Sequence, residues 1–156
     1  MWNFLKTHKY LITLIWFGMV LAISFMEAPL KFQSELVDRR IGVSIGKIIF
    51  TALNRVEVTF LLIYTILSLA SNSFRRSYLL HCLILIVLIQ TIFLLPLLDD
   101  RAVQIINQQP VEDSSLHISY VLLEIIKVIV LLWVSVSEIK KLASYKSNKS
   151  KQVQEV

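Results

Sequence analysis

A chain of 156 residues with 56% hydrophobic and 17% charged residues lies outside the composition of soluble domains, and a net charge of +5 gives it a basic balance. Its mean hydropathy of +0.68 points the same way. Together these exclude a soluble enzyme and a soluble nucleic-acid-binding module, and leave an integral membrane protein. Four apolar stretches, at 10–29, 48–70, 78–98 and 116–137, each match the about 20 residues that a helix needs to cross a hydrocarbon core about 30 Å thick. A lipid-embedded span must satisfy its own backbone as a helix or a closed-barrel strand, and these runs lack the alternation of barrel strands. The sequence therefore predicts an all-α fold, a four-transmembrane-helix bundle over residues 1–137. A basic tail at 138–156, rich in Lys and Ser and poor in apolar residues, is expected to be disordered.

In chain order, the first span follows Lys6 and Lys9, and no small-x-small cleavage pattern surrounds Phe25, Met26 and Glu27, so it is expected to stay as an anchor. Pro29 is expected to end it, since proline lacks the amide donor and clashes with the preceding turn. The connection APLKFQSELVDRRIGVSIGKIIF is more than a loop. Ile41, Ile45, Ile48, Phe50 and Leu53 recur at roughly helical spacing after Asp38, which predicts a helical extension from Arg39 into the second span. From Arg39 to Ala70 such a helix would run about 48 Å at 1.5 Å per residue, so it must tilt, kink or project. Gly42 and Gly46 form a small-xxx-small pair that permits close helix approach, with Gly18 and Ala22 on the first span as a counterpart, though a motif this short also arises by chance. The third span carries the single Cys82, which has no intrachain partner, and is followed by Asp99, Asp100 and Arg101 at its expected outer end. The fourth holds His117, Tyr120, Glu124 and Lys127 within an apolar run.

Orientation follows from Lys and Arg, which favour the cytoplasmic flanks. With both termini inside, the inner flanks hold nine (Lys6, Lys9, Arg75, Arg76, Lys140, Lys141, Lys146, Lys149 and Lys151) and the outer connections five (Lys31, Arg39, Arg40, Lys47 and Arg101). This predicts a multi-pass protein of a bacterial-type inner membrane with both termini cytoplasmic. The bilayer is its first partner, the basic tail being suited to lipid headgroups rather than to nucleic acid. A membrane-protein partner or a homo-oligomer is compatible with the same surface.

Depth and rotation then gather the polar residues. At about 100° per residue, His117, Tyr120, Glu124 and Lys127 share one face of the fourth helix, and Asn54 and Glu57 share one face of the second, with Arg55 turned aside. All but Lys127, which sits nearest the middle, lie in the outer halves of their helices, as does Glu27. A charge facing lipid costs at least about 2.5 kcal/mol, so these faces should point into the bundle. Glu124 and Lys127, three apart, can pair, and Arg55 can answer Glu57, Glu124 or Glu27. The expected outer-leaflet cluster of Glu27, Asn54, Arg55, Glu57, His117, Tyr120, Glu124 and Lys127 is either a site for an ion or small ligand or a network that pins helix packing. A small transporter, or an accessory subunit of a membrane complex, is the alternative reading of the chain.

Other chemistry finds little support. His81 and His117 fall at opposite membrane faces and cannot hold one haem, and no close spacing of His, Cys or acidic residues suggests a metal. With three glycines, no phosphate-binding loop and no nucleophile elbow, the sequence predicts neither cofactor nor enzymatic activity.

The order Trp16-Phe17-Gly18, Ala28-Pro29 with Phe32, the Gly-Lys-Ile-Ile-Phe run at 46–50, Asn54 to Glu57, and then His117, Tyr120, Glu124 and Lys127 resembles a four-helix bacterial membrane family. That family is known as a domain of unknown function, distantly similar to a eukaryotic transmembrane protein linked to cisplatin resistance. The resemblance covers residues 10–137 and implies a four-helix inner-membrane protein without implying a mechanism. A second resemblance, to the membrane domain of copper-resistance proteins, rests on the same Trp and Gly of the first helix, but the chain lacks the Met and His density that copper handling requires.

Overall fold

The computed structural model describes residues 7–71, 77–111 and 114–154, with side chains through residue 144. Among these residues four helices are long and apolar enough to cross a membrane: α1 (Tyr10–Gln33), α2 (Arg39–Ala70), α3 (Tyr78–Ile106) and α4 (Leu116–Gln154). No strand occurs among them. Local chemistry sets the helix starts. Asp38 accepts the Ile41 amide at 2.7 Å and caps α2, Ser77 accepts the Leu80 amide at 3.3 Å to cap α3, and Ser114 accepts the Leu116 amide at 3.1 Å before α4. The extension before the second span is continuous with it, so α2 is a single helix of 32 residues.

The exterior is the more apolar surface. Leu62 at 58% exposure, Phe93 at 63% and Trp133 at 60% face outward, while Lys127, Gln90 and Glu57 are sealed inside. In water this arrangement would be unstable, whereas in lipid the outward side chains lose nothing and the inward polar groups find partners. Inside, the bundle is layered along its axis. An apolar core of Trp16, Val20, Leu61, Tyr64, Leu83, Val87 and Leu131 fills the half nearer the termini. Polar side chains occupy the middle, and a cavity lies between the helices toward the α1–α2 and α3–α4 connections.

Two expectations about helix ends are corrected. Pro29 does not stop α1, which continues to Gln33, and α3 runs past Asp99, Asp100 and Arg101 to Ile106 instead of ending before them. The reason lies one turn earlier in each helix. Residues Leu21–Glu27 and Gln90–Leu94 are π-helical, so that Ala28 donates to the Ile23 carbonyl and Leu95 to the Gln90 carbonyl, five residues back. Each wide turn is followed within two residues by a proline, Pro29 or Pro96. A proline in a regular helix clashes with the carbonyl four residues earlier, and the widened turn relieves that clash without ending the helix.

The π-turn in α3 also resets which residues face inward. Leu80, Leu83, Val87 and Gln90 are buried at helical spacing, and uninterrupted spacing would next bring Leu97 and Gln104 inside. The extra residue leaves Leu97 and Gln104 exposed and turns Leu98, Ala102 and Ile105 toward the cavity. The glycine pair on α2 behaves differently from expectation as well. Gly42 and Gly46 are buried, but their missing side chains make room for the Phe32 ring and the Lys31 ammonium, whereas a Cβ at Gly18 would meet nothing within 4 Å beyond its own helix. The pair receives the end of α1 through its side chains, not through a backbone approach at Gly18. Residues 138–154 continue α4, and the Lys141–Glu138 pair at 2.9 Å supports its continuation through the last described side chains.

The α3 re-phasing has a direct test. Deleting exposed Ile92 in a Pro96→Ala background removes the extra residue and the need for a wide turn, leaving Leu98 and Ala102 inward. That variant should fold with a melting temperature in detergent close to the Pro96→Ala parent. Deleting Leu88 instead rotates Gln90 by about 100° out of the bundle and should abolish cooperative melting. Equal damage from both deletions would mean that the π-turn does not set the register.

Candidate functional site

The site is built around Lys127, a fully buried cation on α4. Its Nζ donates to Gln90 Oε1 at 2.8 Å and to Glu124 Oε1 at 2.8 Å, and lies 2.6 Å from Glu57 Oε1. An ammonium has three protons to place, and here it meets three acceptors from three helices. Further donors tie the carboxylates. Trp16 Nε1 donates to Glu57 Oε1 at 2.9 Å, Gln90 Nε2 to Glu124 Oε1 at 3.0 Å, and Ser24 Oγ to Glu124 Oε2 at 3.2 Å. Each of the four helices thus contributes: Trp16 and Ser24 from α1, Glu57 from α2, Gln90 from α3, Glu124 and Lys127 from α4.

The network is almost complete, and its gaps are specific. Two carboxylates face one ammonium, leaving one carboxylate formally in excess. Glu57 Oε2 is buried without a hydrogen-bond partner among the described residues. The Tyr120 hydroxyl is also buried, lying against the Glu124 carboxylate without a well-formed hydrogen bond, while its ring meets Phe50 edge-on at 5.7 Å. Asn54, one turn from Glu57, donates to Thr91 Oγ1 at 2.8 Å and so joins α2 to α3 beside the cluster.

Above the cluster lies a cavity of about 1060 Å³. Ser24, Tyr120 and Glu124 form its floor, so the network is walled by the apolar core on one side and meets open space on the other. Chemically, the arrangement can accept a proton or a monovalent cation, or receive a hydrogen-bond donor carried by a ligand. No group of three or more His, Cys, Asp or Glu that would hold a metal occurs among the described residues.

Of the eight residues singled out by sequence, Glu57, Glu124 and Lys127 meet directly and Tyr120 lies against them. Asn54 is adjacent and bonded elsewhere. Three stand apart from the network. Arg55 is exposed on the other face of α2, so it answers neither Glu57 nor Glu124. Glu27 bonds Lys31 at 3.4 Å on its own helix, and His117 is exposed at the cavity rim. Sequence reasoning passed over Trp16, Ser24, Gln90 and Thr91 because they are uncharged and, unlike Asn54 and Tyr120, lie on helices without a charged residue mid-span to mark the inward face. Signals existed: Trp16 sits mid-span where tryptophan prefers the interface, and Gln90-Thr91 interrupts an apolar run from Leu83 to Leu98.

A second network closes the terminal end of the bundle. Glu138 pairs with Lys9 at 3.3 Å and Lys141 at 2.9 Å, and accepts from Tyr64 Oη at 3.3 Å. Burial pushes the Lys9 ammonium below its usual range, and Glu138 opposes that shift. One turn inward, Ser135 donates to Thr13 at 2.7 Å.

The energetic ranking follows from which group is left alone. Interhelical hydrogen bonds in membranes average about 0.6 kcal/mol, so Trp16→Phe should cost little beyond its packing change. Lys127→Met strands two buried carboxylates and should cost about 3–5 kcal/mol. Adding Glu57→Gln to Lys127→Met should restore part of that loss, because only one carboxylate then remains unpaired. Unfolding of these three variants, Glu57→Gln alone and the parent in mixed detergent checks the order, and strict additivity in the double variant would refute the shared network.

No family model matches the chain, and neither a curated protein nor a solved structure is similar enough to match it.

Proposed function

We propose that this integral membrane protein is a small, non-enzymatic binding or transport protein, in which the cavity leads an ion or small polar solute to the Glu57–Lys127–Glu124 cluster. One observation carries the reading: a buried network with one carboxylate in excess forms the floor of a cavity. A network that serves packing alone gains nothing from an unbalanced charge, since ionisable groups at membrane depth are costly and neutral side chains of the same shape would pin the helices equally well. The Lys and Arg count, nine against five, supports an orientation with both termini cytoplasmic, which would turn the cavity to the outer face of a bacterial-type inner membrane. A packing pin remains the competing reading, favoured by the number of hydrogen bonds that the cluster already makes.

Accessibility separates the two. In a Cys82→Ala background, Ser24→Cys should react with a membrane-impermeant thiosulfonate applied to the face that carries the connections, and should not react when the reagent is applied to the face that carries the termini. Leu131→Cys, in the core, should react from neither. Glu57→Gln removes the excess charge while keeping the shape, so it should fold with a melting temperature no lower than that of the parent. An unreactive Ser24→Cys, together with destabilisation by Glu57→Gln as large as that caused by Lys127→Met, would make the cluster a packing pin.

A further inference from the structure

We infer that the cavity takes a single-chain anionic amphiphile, inserted with its charged head at the mouth and its apolar chain toward the floor; this rests on the reading of the cavity as a binding site. The charge of the lining is one-sided. Among the described residues, Lys31, Arg39, Lys47 and Arg101 line it, against Asp99 and Glu124. Glu124 lies at the floor and already answers Lys127, and Asp99 interacts with Lys47, so among the charged lining residues cations outnumber carboxylates four to two. The positions of these groups along their helices give the cavity a direction. Arg39 begins α2 and Arg101 lies in the last turns of α3, both at the mouth, with Lys31 and Lys47 about two turns further in.

Lys31 is held as a built element of the wall. Its side chain is 9% exposed, and its ammonium sits 5.6 Å from the Phe32 ring centre and 5.4 Å from that of Phe50, over the space left by Gly46. Among the described residues its one carboxylate contact, Glu27 at 3.4 Å, is long for an ion pair and leaves donor capacity for an anion entering beside it. Below this level the lining turns apolar, with Phe50, Leu95 and Val121 leading down to Tyr120. At about 1060 Å³ the space lies at the upper end of the about 300–1,000 Å³ typical of small-molecule pockets, room for a head and an extended chain. The excess negative charge at the floor repels an anionic head, which fixes the polarity of insertion with the chain downward.

Saturable binding of radiolabelled dodecanesulfonate, a permanent anion, to the full chain in phosphatidylcholine nanodiscs tests this. One site per chain is expected, displaced by dodecyl phosphate but not by butanesulfonate or dodecyltrimethylammonium. Lys47→Gln should weaken binding about threefold and Lys31→Gln with Lys47→Gln about tenfold or more, each with the parent's elution profile and melting behaviour. Should the double variant fail to fold, Lys47→Gln alone and the displacement series decide. Dodecanesulfonate should also protect Ser24→Cys from the thiosulfonate. Equal displacement by the cationic amphiphile, or equal displacement by butanesulfonate, overturns the inference. A reactive Ser24→Cys with no saturable binding overturns it too, while leaving the cavity as the route to the cluster. Lysine-dependent binding with an unreactive Ser24→Cys keeps the amphiphile site and removes that route.

Discussion

A fully buried ammonium is the constraint around which this bundle is organised. Lys127 lies on α4 with core on one side and carboxylates on the other, and its three protons need three acceptors within reach of a fixed point. Lipid supplies none, so the acceptors must come from neighbouring helices at matched depth. Glu57 fixes α2 against α4, Gln90 fixes α3, and Trp16 reaches Glu57 from α1. Apolar contacts between helices in lipid lack the hydrophobic drive that orders a soluble core, so a polar centre of this kind specifies the arrangement more sharply than leucine packing does. Tertiary register here is a consequence of where one charge must be satisfied.

The prolines explain how regular helices reach that point and then diverge from it. In α1 and α3 a π-turn of side chains, including Ser24 and Gln90-Thr91, lies one turn before Pro29 or Pro96. Both segments place uncharged polar groups on the cluster, and both are followed by the stretch that lines the cavity. The widened turns therefore do two things with one insertion: they accommodate a proline and they re-aim the helix beyond it. A uniform α-helix would have turned Leu97, rather than Leu98, to the interior.

Much of this was legible in the amino-acid order, and the illegible parts share a cause. Spans, their number and the 32-residue second helix follow from hydropathy, length and the Asp38 cap, all of which are local. Glu57, Glu124 and Lys127 could be placed on facing surfaces because charge at membrane depth must turn inward. Arg55 and His117 show the limit of that rule: near a helix end or on a long side chain, a charge can reach water or headgroups without entering the bundle. Gln90 and Trp16 show the converse, since an uncharged donor is affordable in lipid and so leaves only a weak mark in the sequence, a mid-span tryptophan or a break in an apolar run. The π-turns were hidden because a proline in a sequence reads as a stop, and only tertiary packing shows that the helix widened and went on.

The two ends of the bundle differ in a way that bears on access. At the terminal end, Glu138 gathers Lys9, Lys141 and Tyr64, and Ser135 ties α4 to Thr13, so α1, α2 and α4 are joined by polar contacts over an apolar core. At the opposite end the helices separate around the cavity, and Phe32 and Lys31 pack by side chains against glycines instead of by close helix contact. Exchange with the cluster in this conformation is thus confined to the connection side. Opening the other side would require separating Lys9 from Glu138 and parting the core from Trp16 to Leu131, whereas on the connection side open space already reaches Glu124.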